Sequence, residues 1–200
     1  ASGTARLPVS RRIRVAILST GDEVVAAGNS ATSGQIFDAN RPMLKAMLQH
    51  NHIDLIDCGI VPDNKDALAD AYEQALQGAD VVISSGGASD GIEDHTQNAM
   101  LQIGAECVFW RLAMKPGRPM AVGRRGKELI FCLPGNPVAA FVCTRLLILP
   151  LLGRACGGAW QPALKIGVPA GFTHRKKPGR AEFLRVVLEN NGGKQQLVLH

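Results

Sequence analysis

The chain has 200 residues, 46% hydrophobic and only 4% aromatic, with 22 glycines and 11 prolines, a balance common in α/β proteins with aliphatic cores. Its net charge of +5 and pI of about 9.1 favour anionic partners. The excess is modest for a nucleic-acid binder and its basic residues are not interleaved with aromatics, so nucleic acid is set aside for a small anionic ligand, with a plain solvated basic surface as the alternative.

In chain order, "RVAILST" (14–20) is a continuous apolar run expected to form a buried parallel strand, closed by "TGDE". "RPMLKAMLQHN" (41–51) spaces Met43, Leu44, Met47 and Leu48 as a helix does. "IDLIDCGIV" (53–61) is the next strand, "PDN" its turn, and 65–77 an amphipathic helix. "ADVVISS" (79–85) is the third strand, with a short helix expected over about 95–103. "ECVFWRLAM" (106–114) and "PMAVGR" (119–124) flank the turn "KPGR". "ELIFCLPG" (128–135) is another core strand, followed by a long apolar helix. This alternation predicts an α/β fold: a doubly wound, mostly parallel sheet covered by helices on both faces. After Gly157, "ALKIGVPAG", "RAEFLRVVLEN" and "KQQLVLH" are strand-like with no helix between them. The expected organisation is a linker tail over 1–12, the α/β domain over 13–157 and the truncated start of a small β domain over 158–200.

The stretch 137–153 is the most apolar, but Arg145 and Pro150 interrupt it and it is short for a membrane span, so a buried helix is expected and no membrane partner. "ASGTARLPVSRR" lacks the apolar core of a signal peptide, and the chain reads as part of a longer protein. Cys58, Cys107, Cys132, Cys143 and Cys156 are odd in number, without CxxC or zinc-ligand spacing, as reduced thiols of a cytoplasmic protein would be.

Four polar loops follow core strands: "TGDE", "PDN", "GGASDGIED" and "LPGNP". A doubly wound sheet would gather them at the edge where ligands bind. Each has a structural reading too, since Gly and Asp suit such turns. In the third loop, Gly86 and Gly87 would let a ligand approach the backbone, and amides opening the next helix can hold a phosphate. Asp63, Glu93 and Asp94 offer hard oxygens of the kind Mg²⁺ uses between carboxylate and phosphate. Asp94 has the alternative role of capping that helix. Arg111, Lys115 and Arg118 cluster around one turn and could bind an oxyanion, or make a solvated hairpin. "LPGNP" would fix its amides and Asn136, or simply join strand to helix.

In order, "LSTGDE", "SGQIFDAN", "VPDN", "SSGGASDGIED", "KPGRP", "LPGNPVAAF" and "GRAEFLR" resemble the molybdopterin molybdenumtransferase family, which includes matching domains of plant Cnx proteins and animal gephyrin. The resemblance runs from about residue 12 to the end. It implies a three-layer α/β molybdopterin-binding domain, a fold shared with the upstream adenylyltransferase. It also implies a reaction: molybdate enters adenylylated molybdopterin, with Mg²⁺-dependent cleavage and release of AMP. Glu23, Asp63 and Asp94 match the family's essential acids, with Asp63 and Asp94 at the metal. Lys115 and Arg118, with Arg111, match cations near molybdate and phosphate, and Arg180 an arginine that helps bind molybdate. Gly86, Gly87 and Ser89 would line the pterin phosphate and nucleotide pocket, and Pro134, Gly135, Asn136 and Pro137 would shape it. Thr20 and Ser84 complete the expected substrate contacts. Family members dimerise, so a homodimer is implied, with contact to the upstream adenylyltransferase.

The chain departs from the family in three respects. Ala139 stands where Ser is frequent, removing one hydroxyl contact to molybdate, and Arg118 stands where Lys is frequent, changing the geometry of the charge. The family's linker and lid regions have no counterpart in the 200 residues. The alternatives to a molybdenum-inserting enzyme are an adenylyltransferase of the same fold, against which "GRAEFLR" and the trailing β segment argue, and a gephyrin-like scaffold.

Overall fold

The structure, a computed structural model, describes residues 3–86, 93–159 and 164–200, with the backbone alone for Glu93, Asp94 and Asn191. Strand β1 (Ile13–Thr20) is buried at every position but Arg14, as a continuous apolar run covered on both faces should be. Short strands β2 (Val24–Val25) and β3 (Ile36–Phe37) pair in the loop after it. Helix α1 (Asn40–Leu48), β4 (Ile53–Val61), α2 (Lys65–Gly78) and β5 (Val81–Ser85) follow. Then come α3 (Glu93–Gln102), β6 (Glu106–Trp110), β7 (Met114–Lys115), β8 (Ala121–Arg125) and β9 (Glu128–Leu133).

Six strands form one sheet in the order β4-β1-β5-β9-β8-β6. The first four run parallel; β8 pairs antiparallel with β9, and β6 antiparallel with β8, so that β8 alone runs against the rest. The chain leaves β1 for the β4 edge through α1 and returns past β1 to β5 through α2. This reversal opens the crevice that doubly wound sheets use for ligands. Val15, Ile17 and Ile83 pack on one face against Leu44 and Leu48 of α1 and against Ile148 and Leu152. Ala16, Leu18 and Val82 pack on the other against Leu68 and Tyr72 of α2 and Met100 of α3. The architecture is therefore three layers.

The elements differ from expectation where local chemistry intervenes. The third strand starts at Val81 because Asp80 turns its carboxylate to Arg11, 2.7 and 2.8 Å away, and to the Arg14 amide at 2.8 Å. Those Arg11 bonds, outweighing burial, hold the Asp80 carboxyl well below the usual carboxylate range. The strand from Glu106 stops at Trp110, since Arg111 takes a positive φ of 67° that breaks the extended run. α4 (Pro137–Cys143), a π-helical turn (Thr144–Ile148) and α5 (Leu149–Ala155) run on as one helix. The π turn lies just before Pro150, which lacks an amide to donate. Among the described residues Pro137–Ala155 is the one run long and apolar enough to cross a membrane by length and composition; here Ala140, Cys143, Ile148 and Leu152 are fully buried. All five cysteines are free, and burial pushes the Cys132 and Cys143 thiols up to about 11.

Toward the C-terminus, β10 (Ala181–Glu182) pairs in parallel with β7, while β11 (Val186–Asn191) and β12 (Lys194–Leu199) form an antiparallel hairpin. The expected strand over "ALKIGVPAG" does not form: Leu164 and Ile166 are 86% and 74% exposed, with no neighbouring strand to satisfy them, and only Ala170 bridges to Leu197.

Candidate active site at the carboxyl edge of the sheet

The parallel strands deliver their loops to one edge. Gly86, after β5, has φ +100°, and a Cβ there would lie 1.9 Å from the Thr20 carbonyl oxygen. The ends of β1 and β5 therefore meet backbone to backbone, an approach only glycine permits. The Gly86 amide donates to Leu133 of β9 at 3.3 Å, which brings the "LPGNP" turn alongside. In that turn Asn136 Oδ1 accepts from the amides of Val138 (2.9 Å) and Ala139 (3.3 Å), and Pro137 opens α4. The Asn136 side-chain oxygen thus caps the helix. Asn40 Nδ2 donates to the Gly135 carbonyl at 2.8 Å and ties the turn to the start of α1.

The "KPGRP" loop closes the other side. Arg111 donates its amide to Met120 and Leu112 to Arg118, so the loop folds back on itself. Gly117, at φ +104°, rests on α4: a Cβ would come 2.6 Å from Cys143 Sγ. β10 then lies along β7, with Ala181 and Phe183 amides donating to the carbonyls of Ala113 and Lys115, both at 2.8 Å. This pairing sets Arg180 beside the loop.

Together these segments enclose a cavity of about 450 Å³. Eight of the residues singled out in the sequence line it: Glu23, Gly86, Lys115, Arg118, Pro134, Gly135, Asn136 and Arg180. Ala139 lines it too, at the position where a serine is frequent in the resembled family. Thr20 and Pro137 border an adjoining cavity of about 190 Å³ that shares Glu23, Gly86 and Gly135. Arg111 borders a third, of about 350 Å³, with Arg118 and Arg180. Cations thus gather on one wall.

Acids gather on the first two loops. The Asp22 carboxylate accepts from the Asp63 amide at 3.1 Å, docking the first loop on the second. Asp63 Oδ1 accepts from the Thr20 hydroxyl at 3.4 Å. Burial first, then the Asp22 charge, raises the Asp63 carboxyl above its ordinary value, with Glu23 adding and His95 of α3 opposing. Among the described residues, no three His, Cys, Asp or Glu groups stand close enough together to hold a metal.

Other expected residues fall elsewhere. Ser84 is 1% exposed, its hydroxyl 2.9 Å from the Tyr72 hydroxyl in the core under α2, away from the cavity lining. Gly87 and Ser89 lie outside the described residues. Asp94 stands in the first turn of α3, and its side chain also lies outside them. The sequence reading left Asn40, Asp22, His95, His174 and Glu182 without roles, although "SGQIFDAN" and "GRAEFLR" contain two of them.

Compared with known proteins, residues 16–154 match the family described as the probable molybdopterin binding domain. The chain is 38% identical over 184 residues to the molybdopterin molybdenumtransferase of Haemophilus influenzae, covering 92% of this chain and 45% of that protein. It is 36% identical over 144 residues to the Drosophila melanogaster molybdenum cofactor synthesis protein cinnamon, covering 72% and 24%. The molybdopterin biosynthesis protein MoeA of Pyrococcus horikoshii superimposes with a TM-score of 0.72 at 31% identity, over 94% of this chain and 46% of that one. The molybdopterin biosynthesis enzyme MoaB of Thermus thermophilus shares the fold, with a TM-score of 0.56 at 22% identity, over 74% and 99%. The chain spans less than half the length of the curated relatives named here.

Proposed function

This chain belongs to the family of the probable molybdopterin binding domain, and from that premise we propose that it inserts molybdate into adenylylated molybdopterin, releasing AMP with Mg²⁺, in molybdenum cofactor biosynthesis. The observation that carries this reading is one cavity lined together by Lys115, Arg118, Arg180, Glu23 and the backbone of Gly86 and Gly135. Molybdate and pyrophosphate are both anions, and a small oxyanion needs several cationic donors converging on one volume. Gly86 contributes backbone alone to the cavity wall, while Asn136 and its prolines hold the turn on which the substrate would rest.

Asp63 is the described residue best suited to Mg²⁺. It is a hard oxygen donor whose carboxyl sits among other acids, a locus that a divalent cation would relieve. Mg²⁺ sites often use only one or two carboxylates together with substrate phosphates. Asp94 is its proposed partner. When bound, the ion would neutralise charge at the phosphates. In this reading Glu23, on the cavity wall, orients the substrate, and the cations bind the oxyanions. The protein works in the cytoplasm as a homodimer and receives its adenylylated substrate from the upstream adenylyltransferase.

The alignment with the Haemophilus molybdenumtransferase, over 92% of this chain, supports insertion. The test is to supply adenylylated molybdopterin, Mg²⁺ and molybdate and follow AMP and molybdenum cofactor together. Molybdate-dependent release of both is expected. AMP without cofactor would reduce the activity to adenylyl hydrolysis, and an Asp94→Asn variant as fast as wild type would remove the metal assignment.

A further inference from the structure

We propose that Glu182 is a positioning residue whose carboxylate holds the Arg180 guanidinium at the wall of the oxyanion cavity. The inference rests on the reading above, that the cavity takes an oxyanion. The Glu182 side chain is only 6% exposed, against 30% for Arg180 and 34% for His174. Its Oε1 accepts from Arg180 Nε at 3.3 Å, and its Oε2 lies 2.8 Å from His174 Nε2. Lys115 adds its positive charge to that of Arg180 near the same carboxylate, and these partners, the His174 bond foremost, hold it below its ordinary value against the effect of burial. The residues on either side are fixed as well. In the β10–β7 ladder Glu182 pairs with Lys115 and Ala181 with Met114, with two amide bonds at 2.8 Å across the junction.

The bond's geometry suggests its purpose. Arginine held through Nε keeps its two terminal nitrogens, the edge of the fork that meets oxyanions, turned away from the partner that holds it. Arg180 lines the cavity in this arrangement. An arginine without such an anchor samples many rotamers and must lose that freedom when an anion binds. The anchor has an opposing effect: it places a negative charge beside a site for anions. Charge alone and positioning therefore predict opposite signs when the charge is removed.

The test is calorimetric titration of this chain with molybdate, in wild type, Glu182→Gln, Arg180→Ala and the double variant, with thermal midpoints measured alongside. The expected result is that Glu182→Gln binds molybdate about tenfold more weakly, although it deletes a repulsive charge. In the Arg180→Ala background the same change should alter affinity by less than about twofold, since the effect passes through Arg180. Glu182→Asp, which keeps the charge on a shorter arm, is expected between wild type and Glu182→Gln and serves should the latter not fold. Molybdate affinity equal to or tighter than wild type in both Glu182 variants overturns the assignment, as does an undiminished loss in the Arg180→Ala background. Wild-type chain that binds no molybdate overturns the oxyanion reading of the cavity and this assignment with it, so the two failures are told apart.

Discussion

Asn40 donates its side-chain amide to the main-chain carbonyl of Gly135 at 2.8 Å, joining the start of α1 to a turn 95 residues away in sequence. Because that carbonyl can only accept, the NH₂ end of Asn40 is fixed against it. The contact holds the "LPGNP" turn, whose Pro134, Gly135 and Asn136 line the main cavity, onto α1.

Asn40→Asp should therefore be worse than a simple loss of contact. It sets a carboxylate against a carbonyl oxygen at a site only 8% exposed. A stability loss of roughly 2–3 kcal/mol is expected in urea unfolding at neutral pH. A loss under about 0.5 kcal/mol would show that the turn is held by other means.

Gly86→Ala tests the backbone contact at the crevice. The new methyl would meet the Thr20 carbonyl oxygen at 1.9 Å, and φ +100° is strained for any L side chain. The ends of β1 and β5 must separate, so a loss above about 2 kcal/mol is expected by chemical denaturation. Near wild-type stability would mean that the strand ends yield easily.

Asp57 links pH to stability on the far side of α1. Burial pushes its carboxyl up, but Lys45 at 3.0 Å, Arg41 at 2.8 Å and the Gly59 amide outweigh it and bring the pKa down to about 2. A carboxyl depressed on folding stabilises above its ordinary range, and that stability is lost as pH falls from about 4 to about 2. Asp57→Asn should thus lose about 1–2 kcal/mol at pH 7, allowing for the carboxylate's partial exposure. The gap from wild type should close as pH approaches 2; a gap independent of pH would exclude the ionic contribution.

Much of the sheet was legible because β1 and β5 are apolar runs that fold buried almost throughout, and β-α alternation fixes where their loops emerge. That logic brought Glu23, Gly86, Pro134 and Asn136 to one edge before any contact was known. Lys115, Arg118 and Arg180 joined them only through the resemblance, since the β10–β7 pairing that delivers Arg180 leaves no periodic trace in so short a pair. Ser84 was readable and missed: strand alternation puts it with Val82 on the α2 face, opposite Ile83. Glu182 was not readable, because an acid beside an anion site makes sense only once His174, Arg180 and Lys115 are seen around it.

We propose that the cationic loop and the strand ends form one site for an anionic pterin nucleotide. The most direct test is equilibrium binding of adenylylated molybdopterin to wild type and to the Lys115→Ala/Arg118→Ala double variant. Both side chains are exposed, so their removal should leave the thermal midpoint nearly unchanged. Binding weakened by about tenfold or more is expected at low salt, with a smaller difference at high salt. Equal affinity for the two proteins at low salt would contradict it.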